Sequence, residues 1–147
     1  MAKARHSVSV DRPIHEVFDF LAEGTNTPIW RPIVTLVARI SGTGVGAGTR
    51  YVQRVSDGGG RTVEETYEIT RFEPPHLLEF TVERGAIRTA GRYTLARIDP
   101  GTTHVEFTLW QLSPGLLSGL GRADGDRLRE QVASIAGLPA AMRDQQQ

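Results

Sequence analysis

Cysteine is missing from all 147 residues of this chain, which excludes disulfides, thiolate nucleophiles and cysteine-based metal sites. Net charge is missing too. The 17 basic residues balance 17 acidic ones, so no chain-wide positive field attracts nucleic acid or anionic lipid. Lysine occurs once, at Lys3, and arginine supplies the other positive charges. No apolar run reaches the length of a membrane span, and residues 1–6 lack the apolar core of a signal peptide. These gaps point to a cytoplasmic domain with no nucleic-acid partner and no integral membrane association. The length suits one domain over residues 1–147.

What is present is a strand that runs straight into a helix. Val8 and Val10 alternate with serines, as in a half-buried strand. Pro13 sits where the first helical turn has no backbone donor to lose, and Ile14, Val17, Phe18 and Leu21 form one apolar stripe. Thr25 to Pro32, bracketed by two prolines, reads as a second short helix or turn. Six strand patterns follow. The first spans Ile33 to Ile40 and the second Tyr51 to Val55, with a glycine-dotted turn between them. Asp57-Gly58-Gly59-Gly60 signals a hairpin into a strand whose one face carries Val63, Glu65, Tyr67 and Ile69. Glu73-Pro74-Pro75 ends that strand. Leu78, Phe80 and Val82 line the next, Tyr93 and Leu95 another, and Val105, Phe107 and Leu109 the last.

From Pro114 the period turns helical, with Leu116, Leu117, Leu120, Leu128, Val132 and Ile135 as apolar positions. Gly119, Gly121 and Gly125 weaken the first half of this helix, Pro139 kinks or ends it, and residues 143–147 read as a disordered tail. Short links between successive strands predict an antiparallel meander. One curved sheet facing a single helix leaves interior volume that the helix cannot completely fill. A pocket is the expected result.

Val8-Ser9-Val10-Asp11-Arg12-Pro13 running into Val17-Phe18, then Trp30-Arg31-Pro32, Gly48-Thr49-Arg50, Tyr67 to Pro75 and Gly101 to Val105 carry a family resemblance. Over about residues 5–136 the chain resembles the START/Bet v1-like helix-grip superfamily, and most of all its polyketide cyclase/dehydratase-like branch. The resemblance implies an α+β fold: a curved antiparallel seven-stranded sheet around a long C-terminal helix, with two short helices after the first strand. It also implies a cavity for hydrophobic ligands, cyclase or dehydratase activity in some members, and permits a homodimer. Its carriers mark turns and core rather than catalysis, so function rests on the site.

Glu65 shares inward parity with Val63, Tyr67 and Ile69. A buried carboxylate must find a partner, meet water or hold its proton, and the last would suit it to proton transfer on a carbonyl compound. Pairing with an arginine is the plain structural alternative. Gln53 has the same parity in the neighbouring strand and would share a polar spot with Glu65. Tyr67 follows two residues later and offers a phenol, so Glu65 and Tyr67 are the candidate catalytic pair. Trp30, Phe80, Tyr93 and Phe107 complete the candidate ligand-binding set. Each of these rings also reads simply as core.

The four histidines lack metal-ligand spacing, His6 alone having inward parity, so neither metal nor cofactor is expected. Gly42-Thr43-Gly44-Val45-Gly46-Ala47 mimics a dinucleotide fingerprint, but a strand follows instead of a helix. Arg84, Arg88 and Arg92 read as a solvated surface. Binding of a polyketide, lipid or isoprenoid-like molecule leads; a cyclase or dehydratase using Glu65, and a ligand-free interaction module, are the alternatives.

Overall fold

The computed structural model describes residues 2–56, 59–112 and 121–145, the side chains of 121–124 excepted. Strand β1 (Lys3–Val10) turns at Pro13 into helix α1 (Ile14–Ala22). Pro13 takes the N-cap, just before the helix rather than inside its first turn. Its carbonyl accepts from the N–H groups of Glu16 and Val17 at 3.1 and 3.2 Å. The apolar stripe Ile14, Val17, Phe18 and Leu21 is buried as its spacing requires. A 3-10 turn (Gly24–Asn26) and the short helix α2 (Thr27–Trp30) follow.

Six more strands complete the sheet: β2 (Val34–Ser41), β3 (Arg50–Ser56), β4 (Thr62–Glu73), β5 (Leu77–Arg84), β6 (Ile87–Asp99) and β7 (Thr102–Gln111). The spatial order is β1-β7-β6-β5-β4-β3-β2, every pairing antiparallel. Strands β2 to β7 are thus the expected meander, and β1 closes its far side. Register shifts in β2, between Ile69 and Arg71 in β4, and between Arg97 and Asp99 in β6 bend these strands. Strand β4 ends at Glu73 as expected, and the Pro74-Pro75 bond is cis. The hairpin expected at residues 57–60 lies partly outside the described residues, and so do Pro114, Leu116, Leu117, Gly119 and Leu120.

The C-terminal helical arm comprises α3 (Gly121–Ala133), a 3-10 turn (Ser134–Gly137) and α4 (Leu138–Asp144). Pro139 falls in the first turn of α4, where its missing N–H has no intrahelical acceptor to lose. The arm therefore continues past the proline. Because α4 reaches Asp144, the expectation of a tail without structure from Arg143 is corrected for residues 143 and 144.

Leu128, Val132, Ile135, Leu138 and Met142 form the buried face of the arm. Helix α3 packs chiefly over β1 and β7, where Val105 and Phe107 are fully buried and Leu109 nearly so. Arg12 ties the opposite end down, its Nη2 donating to the Met142 carbonyl at 2.6 Å. With the arm held on the β1–β7 side, the concave face of β3, β4 and β5 keeps free volume.

Candidate functional site

That volume is a cleft of about 940 Å³, counted out to its open mouth. Its apolar walls include Leu21, Val55, Ile69, Leu78, Val82 and Leu109, and Leu128 of α3 faces them.

Three adjacent strands place a polar row across this surface. Gln53 of β3 is registered directly opposite Glu65 of β4, and its Nε2 donates to Glu65 Oε1 at 2.7 Å. Arg84 of β5 stands one step beyond the Thr66–Glu83 pair. Its Nε and Nη2 donate to Glu65 Oε2 at 2.8 and 2.7 Å. Both carboxylate oxygens are therefore engaged. The arrangement orients polar atoms and fits a proton donor poorly. Glu65 thus has the arginine partner that parity alone leaves open, but the pair sits at the cavity and not away from it.

Below this row the aromatic side chains form a continuous chain of contacts. Tyr51 stacks on Tyr67 with centroids 4.8 Å apart, and Tyr67 meets the Phe80 ring edge at 5.9 Å. Phe80 leans on Tyr93, which stacks on Phe107 at 4.6 Å. Gly91, registered opposite Phe80, permits this, because a Cβ there would collide with the Phe80 ring. Burial raises the pKa of Tyr67 and of Tyr93 well above the ordinary phenol range, so both stay protonated hydrogen-bond donors at neutral pH.

Arg31, which follows α2, also reaches the cavity. Its guanidinium lies 5.7 Å from the Trp30 ring and 5.8 Å from Phe107. Its buried Nε has no hydrogen-bond partner. Burial lowers the pKa of this group from the ordinary arginine value.

Gln53, Glu65, Tyr67, Phe80 and Tyr93 are brought together on the cavity wall. Trp30 and Phe107 are not among the lining residues. Trp30 meets Tyr93 and Phe107 edge-on at 6.2 Å in each case, so these two rings support the wall from behind. His6 is exposed despite its inward parity. Arg84 corrects the surface reading given to its basic stretch, whereas Arg92 pairs outside with Glu79 at 2.7 Å. A signal for Arg84 is present in the sequence, because it shares the parity of Leu78, Phe80 and Val82. Arg31, Arg127 and Gln131 also line the cavity, and nothing in local periodicity singles them out. Among the described residues, no group of His, Asp and Glu has an arrangement able to hold a metal ion, and no helix is long and apolar enough to cross a membrane.

The family model for "Polyketide cyclase / dehydrase and lipid transport" matches residues 1–137. No curated protein matches the chain. Among solved structures, the TTHA0849 protein of Thermus thermophilus superposes with a TM-score of 0.78 at 17% identity, over 99% of each chain. A START superfamily protein from Mycobacterium smegmatis gives 0.71 at 12% identity, over 98% of this chain and 99% of the other. The di-domain ARO/CYC BexL from the BE-7585A biosynthetic pathway gives 0.68 at 22% identity, over 92% of this chain. The match spans only 45% of BexL, so this chain corresponds to about half of that protein. These likenesses establish the helix-grip fold.

Proposed function

Because this chain belongs to the polyketide cyclase/dehydrase and lipid transport family, we propose that it binds a hydrophobic small molecule in the cavity between β3–β5 and α3. A polyketide, lipid or isoprenoid-like compound has the chemistry required. The observation that carries this reading is the composition of the cavity: apolar walls that share the lining with convergent polar groups. Burying the ligand's apolar surface there is favourable by roughly 25 cal/mol per Å². Tyr67 and the Gln53–Glu65–Arg84 row then orient its oxygens. Proton transfer by Glu65 in a cyclase or dehydratase finds less support, since the carboxylate is already held at both oxygens. A ligand-free interaction module would be expected to have a filled interior. We keep a cytoplasmic location, no nucleic-acid partner, and a homodimer permitted through the exposed Leu36 and Ile40 of edge strand β2 as parts of this proposal.

Titration with the uncharged fluorophore N-phenyl-1-naphthylamine tests it. Saturable one-site binding is expected, and it should be weakened in Val82→Trp, which projects an indole into the cavity. Absence of saturable binding to the wild type, or full retention in a folded Val82→Trp protein, would overturn the reading.

A further inference from the structure

The chain as a whole is electrically balanced, but its cavity is not. Arg31 and Arg84 line it against Glu65, the one Asp or Glu among its described lining residues. Glu65 is already committed to Arg84 and Gln53. Arg31 therefore has no carboxylate within hydrogen-bonding reach among the described residues, and its buried Nε makes no hydrogen bond. A buried Nε–H without a partner opposes folding, because buried polar donors are ordinarily paired. The Trp30 and Phe107 faces offset only part of that loss.

Resting on the binding reading above, we infer that the ligand carries a carboxylate and that Arg31 holds it, the apolar body lying along Leu78, Phe80 and Val82. The planar guanidinium presents paired donors that match a carboxylate fork. Tyr93 lies within the electrostatic reach of Arg31 and keeps its phenolic proton, so it is placed to donate to the same group. Arg84 neutralises Glu65 and so removes the acid that would repel an entering anion. The ligand satisfies the donor that the free protein leaves without a partner.

Displacement of bound N-phenyl-1-naphthylamine by decanoate and by methyl decanoate tests this, since the two differ at the head and not in the chain. Decanoate should displace the fluorophore at least tenfold more effectively than the ester. Arg31→Met, which keeps the apolar stem, should abolish that preference, bringing acid and ester to equal displacement. Its thermal midpoint should hold or rise, because a buried donor without a partner has been removed. Arg31→Lys provides a second variant and should retain a weaker preference for the acid.

Equal displacement by acid and ester in the wild type would overturn the inference and leave hydrophobic binding standing. So would Arg31→Met losing affinity for all three compounds together with a lowered midpoint, the result of a packing role. Failure of the wild type to bind the fluorophore would remove the binding reading, and this inference with it.

Discussion

The concave face of this one sheet has a closed half and an open half. On β7, Val105 and Phe107 are fully buried, with α3 laid across the strand. On β3, β4 and β5 the corresponding inward positions hold Gln53, Glu65, Tyr67, Val82 and Arg84, with a cavity above them. Both halves have the same pleat and the same alternation. They differ in what lies opposite, since among the described residues the helical arm packs chiefly over β1 and β7. Removing polar atoms from water is tolerable only where partners or solvent remain. The inward-facing charges of the sheet, Glu65 and Arg84, accordingly lie in the open half.

The largest test of this contrast is a matched pair of truncations. Phe107→Ala leaves a void inside packed surroundings and should destabilise by about 3–5 kcal/mol. Phe80 already has cavity on one side and forfeits fewer contacts, so Phe80→Ala should cost about 1 kcal/mol less than Phe107→Ala. Urea unfolding measures both. Equal losses would mean that the open half is as tightly built as the closed one.

A second test uses the phenols at the cavity. Burial holds Tyr67 and Tyr93 protonated in the folded protein at pH values where the unfolded chain ionises. The unfolded state then binds fewer protons, so stability falls as pH rises. The contribution is intact below about pH 10 and declines above it, by up to roughly 1.4 kcal/mol per pH unit for each buried phenol. Unfolding at a series of pH values from neutral to alkaline should show this decline, with a shallower slope in Tyr67→Phe. An unchanged slope would place the Tyr67 hydroxyl in free contact with water.

How legible these halves are in the sequence depends on the distance of the contacts that make them. Alternation along single strands reveals the inward faces, and with them Glu65, Tyr67, Phe80 and Tyr93. Parity in β3 also places Gln53 beside Glu65, because two neighbouring hairpin strands share a register. Arg84 shows where this reasoning stops. Its parity is inward, yet a run of three arginines around a turn resembles a solvated surface until β4 and β5 are aligned. Trp30 and Phe107 show the reverse case. Both are buried by pattern, but whether a buried ring faces a cavity or supports it depends on where α3 lands. Arg31 lies beyond a short helix with no period to orient it, so only the tertiary structure brings it to the cavity. The tail misleads for a similar reason: Pro139 suggests an end, but in the first turn of α4 it begins another helix.

The smallest expected effect concerns the polar row itself. Glu65→Gln removes the charge that pairs with Arg84 while keeping an acceptor for one of its donors. Buried ion pairs are strongly destabilised when one partner is lost, but this pair lies at an open cavity and the Arg84 side chain is 30% exposed. Water can replace the missing partner, so the loss should be about 1 kcal/mol. Glu65→Gln/Arg84→Met removes both charges and should recover most of it, a positive coupling that a double-mutant cycle measures. A loss above about 3 kcal/mol with no recovery would show that Glu65 is gripped as in a closed interior. The distinction between the halves would then fail at its most polar point. A small, recoverable loss would instead mark the row as a wet, orienting surface whose charges stabilise the fold little and remain available to a ligand.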